Sequence, residues 1–380
     1  MDTGSEKVEI DIDDGGVVAT FGDKTVFLLP PTDTAVVRNI QLVKDYLVVV
    51  RWERLATVLY TFSTADWSKV PSITRLMPAR PLVVVIATDG RSMTIEDPVT
   101  EPENFDIDFE DMPDEITIPS PLHIVEIPTP SGSLHIQIAT PRDLNPSSTE
   151  RIGQILVTAY AGFGICLPMG FNQHVRSWLD ASGSWVQVFA RGGGELGHKW
   201  HLSGTGPGSL AGAEDILSAV DFLRSKDIGN KVLCYGFSHG GTQLLRAFLL
   251  RPEYFNRLVF WSPVVETCES HNPWLEQWYL EYGNPNDPAQ RAAMKSACPT
   301  HMLSHMLDET PDSLAKRSVL FLSSADDDRV SPNQIAKFSS ELSRVADVKF
   351  QQAKFAGHAG LNGNEEAAAQ QCLLWKFLCG

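Results

Sequence analysis

The residues with the clearest chemical spacing lie in Cys234-Tyr235-Gly236-Phe237-Ser238-His239-Gly240-Gly241, which contains G-x-S-x-G. Such an elbow is a tight strand-to-helix turn, in which Gly236 and Gly240 relieve crowding and Ser238 projects its hydroxyl above a sheet edge. The flanks suit it: Lys231 to Tyr235 reads as a buried strand, and Thr242 to Leu250 has helical apolar spacing. A glycine-rich turn without chemistry is the competing reading, so the other two groups a serine needs must be found. A serine hydroxyl is a weak nucleophile until a histidine takes its proton, and that histidine needs a carboxylate to fix its tautomer.

In the α/β-hydrolase arrangement the chain order is Ser, then Asp or Glu, then His, with acid and base on loops that follow strands. Downstream, the strand-like Ser318 to Leu322 leads to Ala325-Asp326-Asp327-Asp328-Arg329-Val330. Val348-Lys349-Phe350 then leads through Phe355-Ala356-Gly357-His358-Ala359-Gly360. Both candidate stretches are strand exits, and the acid is one of three adjacent aspartates.

These motifs, in this order, resemble the catalytic part of the prolyl oligopeptidase family of serine peptidases. Arg191-Gly192-Gly193-Gly194-Glu195 with Trp200-His201 is similar to its glycine-rich signature, Ala325 to Val330 to its Asp-Asp-Arg-Val loop, and Ala356-Gly357-His358 to its histidine loop. The resemblance covers about residues 119 to 380 and implies Ser238 as nucleophile, Asp327 as orienting acid and His358 as base. It further implies that Tyr160, in Ala159-Tyr160-Ala161-Gly162-Phe163-Gly164, donates to the transition-state oxyanion, with the backbone N–H of His239 as second donor. Ala161-Gly162 stands where the family usually has two glycines. Trp278 resembles a tryptophan that stacks on a substrate proline, and Arg329 an arginine that binds a substrate carbonyl. Core packing and a surface ion pair with Asp326 or Asp328 are their bland alternatives.

The expected activity is cleavage of short peptides after proline through an acyl-enzyme. The same triad could serve an esterase, thioesterase or peptide macrocyclase, or the chain could be a truncated relative that binds without turnover. No cofactor is implied. Gly192 to Gly197 also satisfies G-x-G-x-x-G, but no helical spacing follows as a dinucleotide site requires. His301 and His305 stand at i, i+4 without the glutamate of H-E-x-x-H, and His198 and His201 are unsupported, so no metal site is expected.

The elements that must position these groups form two regions. From Val17 to about Ile95, short runs such as Val26 to Leu29, Tyr46 to Val50, Ala56 to Tyr60 and Leu82 to Ile86 alternate with turns, an all-β pattern resembling propeller hairpins. Residues 1–118 are expected to be a propeller-like remnant, too short to close a ring at roughly 40 to 45 residues per blade. That leaves the expectation of an open site, with this region docked on the rest or paired in a homodimer. Between Glu96 and Glu115 stand ten acidic residues, no basic one, and Pro98, Pro102 and Pro113, which reads as a linker because the calcium-loop spacing is absent. Residues 119–380 open with a hairpin, Leu122 to Ile127 and Leu134 to Ile138, and then alternate strands and helices. The expected fold is α/β: an α/β-hydrolase with a small all-β N-terminal region.

The 380 residues are 43% hydrophobic, enough for a substantial core. A net charge of −16 argues against a nucleic-acid partner, since phosphate binding needs clustered cations. The six cysteines, Cys166, Cys234, Cys268, Cys298, Cys372 and Cys379, include no C-x-x-C pair and read as reduced thiols. An acidic opening stretch and no apolar run of about 18 residues give the expectation of a soluble cytoplasmic protein without a signal peptide or membrane span.

Overall fold

The computed structural model describes residues 8–380 apart from 14, 22, 68, 131, 141–152, 168–169, 171, 227, 230, 269–275 and 310. The chain divides into two compact units, one of residues 1–122, 166–177 and 194–200, the other of residues 123–165, 178–193 and 201–380. The division expected at residue 118 thus falls at 122, and two segments expected in the catalytic region group with the first unit. Among them is Glu195, whose carboxylate is buried and accepts the Leu167 N–H at 3.0 Å.

The first unit holds three sheets. β1 (Val8–Asp13), β2 (Gly16–Phe21) and β3 (Lys24–Leu29) form an antiparallel sheet, while β4 (Ala35–Val43), β5 (Tyr46–Glu53), β6 (Ala56–Ser63) and β7 (Ser72–Met77) form a second meander. The third consists of β8 (Val83–Ile86), β9 (Ser92–Glu96) and β10 (Glu103–Asp106), and β11 (Glu115–Thr117) joins the second alongside β7. β5 lies between β4 and β6, and its run Leu47 to Trp52 is buried on both faces, which is why Leu47 to Val50 reads as continuously apolar. Its Val48 and Val50 pack with Leu59, Leu76, Val84 and Ile95 in one cluster.

The acidic stretch from Glu96 to Glu115 is a folded part of this unit, not a linker. Glu103, Phe105, Ile107 and Phe109 turn inward while Asn104, Asp106, Asp108 and Glu110 are exposed, so the period-2 alternation of a strand lies beneath the charge count. Phe105, Ile107, Phe109 and Met112 join the cluster around Val48. Asp97 is 1% exposed, caps the N–H groups of Val99 and Thr100, and pairs with the buried Arg80 at 3.5 Å.

The second unit is built on one eight-stranded sheet. Its strands are β12 (Leu122–Thr129), β13 (Gly132–Ala139), β14 (Gln154–Thr158), β15 (Ser184–Phe189), β16 (Lys231–Phe237), β17 (Arg257–Trp261), β18 (Ser318–Ser324) and β19 (Asp347–Ala353). Numbered one to eight along the chain, they stand in the order 1-2-4-3-5-6-7-8. β13 runs antiparallel to β15, and from β15 onward the neighbours are parallel. Residue 131, in the opening hairpin, lies outside the described residues. Parallel strands require crossovers, and helices supply them. The helices among the described residues are α1 (Gln173–Asp180), α2 (His198–Leu202), α3 (Ala211–Ser225), α4 (Ser238–Leu250), α5 (Tyr279–Tyr282), α6 (Pro288–Ala297), α7 (Pro299–Glu309), α8 (Pro332–Leu342) and α9 (Glu365–Cys379). Of these α4 packs on β16 and β17, and α8 and α9 pack on β18 and β19. No helix among the described residues is long and apolar enough to cross a membrane.

Candidate active site

Ser238 is the first residue of α4, directly after β16, with φ of +51°. A serine pays for that backbone region, of order 1 kcal/mol, and its neighbours enforce it. A Cβ at Gly236 would lie 2.7 Å from the Gly240 carbonyl oxygen, and one at Gly240 would lie 2.4 Å from that of Ala159. Both glycines of the elbow are therefore steric requirements of the turn.

The candidate acid and base come from the exits of β18 and β19. The Asp327 carboxylate, after β18, meets Nδ1 of His358, after β19, at 3.0 and 2.9 Å through its two oxygens. Asp327 also accepts the N–H groups of Arg329 and Val330 and pairs with the Ser262 hydroxyl. Burial disfavours its charge, but the His358 hydrogen bond and these other donors outweigh that and hold the carboxyl below its usual range. Nδ1 of His358 is thereby committed as a donor to Asp327, which leaves Nε2 as the ring atom able to accept a proton.

The neighbouring aspartates separate by role. Asp326 accepts the Gly357 N–H and the Asn362 side-chain amide, each at 2.9 Å, and the Ser324 hydroxyl. It ties the β18 exit to the loop carrying His358. The Ser324 hydroxyl, first, and the Gly357 N–H hold its carboxyl below the ordinary range. Asp328 is exposed.

Tyr160 leaves β14 with its hydroxyl hydrogen-bonded to Ser238. Burial raises the phenol's pKa, so it stays protonated and available as a donor. Its loop is tight: Ala161 has φ of +55°, and a Cβ at Gly162 would lie 2.1 Å from the His239 ring. His239 is 1% exposed, with Nε2–H donating to the Ala161 carbonyl at 3.1 Å and Nδ1 accepting from the Tyr282 hydroxyl at 2.7 Å. Burial, reinforced by the Arg246 charge, pushes its pKa down to about 3. The imidazole is neutral and structural, while the His239 N–H lies in the first turn of α4.

Trp278 is half-buried and meets Phe163 edge-on, with centroids 6.1 Å apart, and Tyr282 at 6.0 Å. Phe163 in turn stands edge-on to His239 at 5.3 Å. Arg329 is exposed, and its charge reaches the Tyr160 hydroxyl. Sequence reasoning missed Ser262, Phe163 and Tyr282, and the role of Asp326 in holding the His358 loop. Ser262 had a usable signal, because Trp261-Ser262-Pro263 is also a strand exit, where Ser262 adopts φ of +49° and its oxygen accepts the Ala359 N–H. A histidine held by a carboxylate and a serine held at a helix start with a phenol donor are the groups that acyl transfer requires.

Comparisons with known proteins bear on the family and the fold. The sequence profile of the prolyl oligopeptidase family matches residues 169–379. The chain is 26% identical over 231 residues to a prolyl endopeptidase of Elizabethkingia meningoseptica, covering 58% of this chain and 32% of that protein. A prolyl endopeptidase of Dictyostelium discoideum is 28% identical over 191 residues, 49% of this chain and 24% of that protein. The structure of prolyl oligopeptidase B from Galerina marginata, bound to a 35mer hydrolysis and macrocyclization substrate, superposes with a TM-score of 0.77 at 18% identity, covering 98% of this chain and 56% of that one. A post-proline cleaving enzyme from Rickettsia typhi gives 0.73 at 21% identity, covering 90% and 52%. These structures share the fold, an α/β-hydrolase with a propeller-like β-region ahead of it. The chain spans about a third of the length of the curated relatives it matches. With its candidate serine, acid and histidine on the exits of β16, β18 and β19 and the profile matched over residues 169–379, which carry all three, the chain belongs to the prolyl oligopeptidase family.

Proposed function

We propose that this chain is a serine peptidase that cleaves short peptides after proline through an acyl-enzyme. The observation that carries the reading is the buried Asp327–His358 pair, two strand exits from a serine strained at the start of α4. Ser238 Oγ attacks the scissile carbonyl carbon as His358 Nε2 takes its proton. The Tyr160 hydroxyl and the His239 N–H stabilise the resulting oxyanion. The intermediate collapses with cleavage of the C–N bond, and His358 returns the proton to the departing amine. Water then enters, loses a proton to His358 and releases the acid, with that proton going back to Ser238. Trp278, with Phe163 behind it, forms the flat wall for the proline ring, and Arg329 binds a substrate carbonyl.

Self-association as a homodimer belongs to this reading, supported by Val26 and Phe27 of β3, each about half exposed. A reducing, cytoplasmic setting is supported by six cysteines that are all free thiols. The test is fluorophosphonate labelling alongside hydrolysis of a proline-containing amide. Stoichiometric labelling of the native protein at Ser238, lost with amide hydrolysis in Ser238→Ala, is expected. Absence of label on folded native protein would sink the reading in favour of a binding protein.

A further inference from the structure

Away from the triad, the segment after β17 and the start of α7 bring together a set of side chains that the proposed reaction does not use. The sulfurs of Cys268 and Cys298 and a ring nitrogen of His301 all lie within 4.8 Å of one another. Glu266 adds a fourth donor, its Oε1 standing 3.3 Å from Cys298 Sγ. We propose that Cys268, Cys298, His301 and Glu266 form a structural zinc site.

The donor set suits that ion. Two thiolates, an imidazole and a carboxylate are borderline-soft ligands for which zinc is the usual partner, and four of them leave no open position for catalysis. In a tetrahedral site with Zn–S of about 2.3 Å and Zn–N of about 2.0 Å, donor atoms stand roughly 3.3 to 3.8 Å apart. The Glu266–Cys298 spacing is already in that range, the two sulfurs and the His301 nitrogen need to close by about 1 Å or less, and the Glu266 carboxylate has further to move to join all three.

The surroundings of Cys298 favour a thiolate. Cys298 Sγ accepts the Thr267 N–H at 3.5 Å and the His301 N–H of the first turn of α7. The Cys268 N–H donates to Glu266 Oε1 at 2.7 Å, holding that oxygen toward the sulfurs. Such outer hydrogen bonds orient ligands and stabilise their deprotonated forms. Arg246 of α4, 1% exposed, donates to the carbonyls of Ala297 and Ser209 within electrostatic reach of both sulfurs. Among the described residues it has no carboxylate partner. Two thiolates, one carboxylate and a neutral imidazole around Zn²⁺ carry a net charge of −1, which this buried guanidinium balances. Binding displaces one proton from each thiol, and the exposed side of His301 is the way in.

The ligands are far apart in the chain, as Glu266-x-Cys268 and Cys298-x-x-His301, so no compact zinc signature marks them. The site would clamp the strand exit that precedes Trp278 to the helix pair α6 and α7. It is distinct from the hydrolytic site and does not depend on proline specificity.

The test is metal analysis of the full chain after equilibration with zinc and removal of the excess, with a cobalt-loaded sample for spectroscopy. About one equivalent of zinc is expected to remain bound, and the cobalt form is expected to show thiolate-to-metal charge transfer with the intense visible bands of a tetrahedral site. Cys298→Ser and the surface substitution His301→Ala should each weaken zinc retention at least about tenfold. Ser238 labelling by a fluorophosphonate should persist in His301→Ala, which shows that the variant is folded. The proposal is overturned if folded wild-type protein retains no zinc, if His301→Ala retains it as tightly as wild type, or if non-reducing peptide mapping finds Cys268 and Cys298 joined as a disulfide in the zinc-equilibrated sample.

Discussion

Asp326, Asp327 and Asp328 are identical in chemistry and differ only in what the fold sets against them. Asp327 holds His358, Asp326 holds the loop on which His358 stands, and Asp328 is exposed. We predict that Asp327→Asn lowers kcat for a proline amide by about ten-thousand-fold, because the wrong imidazole tautomer is then stabilised. Asp326→Asn should cost about tenfold through the slackened loop, and Asp328→Asn almost nothing. Steady-state kinetics on the three variants decide it, and a larger loss at Asp326 than at Asp327 would reassign the acid. At Trp278 the quantity to read is a ratio. Ring stacking is worth about 0.5–1.5 kcal/mol, so Trp278→Ala should lower kcat/KM for a proline amide up to about tenfold more than for a small acyl ester. Equal losses on both would mark the indole as packing alone.

At the scale of elements, turns between strands and helices do the positioning. Each group of the site follows a strand of one sheet: Tyr160 after β14, Ser238 after β16, Ser262 after β17, Asp327 after β18 and His358 after β19. A comparable coupling in the first unit involves Glu195, which joins the 194–200 segment to Leu167. Burial pushes its pKa up to about 7, against the opposing Leu167 N–H and Arg38 charge. The folded state thus holds a proton that the unfolded chain releases above its ordinary pKa of 4.5. The stabilising contribution is complete below that value and falls as pH rises to about 7, by on the order of 3 kcal/mol. Glu195→Gln should flatten this slope. Thermal unfolding compared at about pH 5 and about pH 8 reads it, and an unchanged slope in the variant would place the titration elsewhere.

For the molecule as a whole, the exposed apolar residues of the first unit bear on assembly. Val26 and Phe27 are 51% and 53% exposed on β3, an outer strand of its sheet. Outer strands with apolar side chains invite pairing, which soluble proteins satisfy with a partner. Sedimentation velocity should therefore show a concentration-dependent dimer, and Phe27→Lys should shift it toward monomer with Ser238 labelling intact. A wild-type protein that stays monomeric across the micromolar range would remove the dimer from the proposal.

The fold class and the order of the chemical groups were legible before any coordinates, because both depend on local pattern. Buried parallel strands read as short apolar runs, the elbow carries its glycines in sequence, and the acid and histidine loops follow recognisable strands. The acidic stretch from Glu96 to Glu115 was misread for a related reason. Its charges are conspicuous in sequence, whereas the burial of Phe105, Ile107 and Phe109 depends on a core contributed by Val48, Leu59 and Ile95 from earlier strands. Which of three aspartates faces His358, why Ala161 tolerates a left-handed backbone, and how Glu266, Cys268, Cys298 and His301 converge were decided only in three dimensions. Each is a relation between segments distant in the chain, and close approach of such segments is set by sheet order and helix packing instead of by spacing along the sequence.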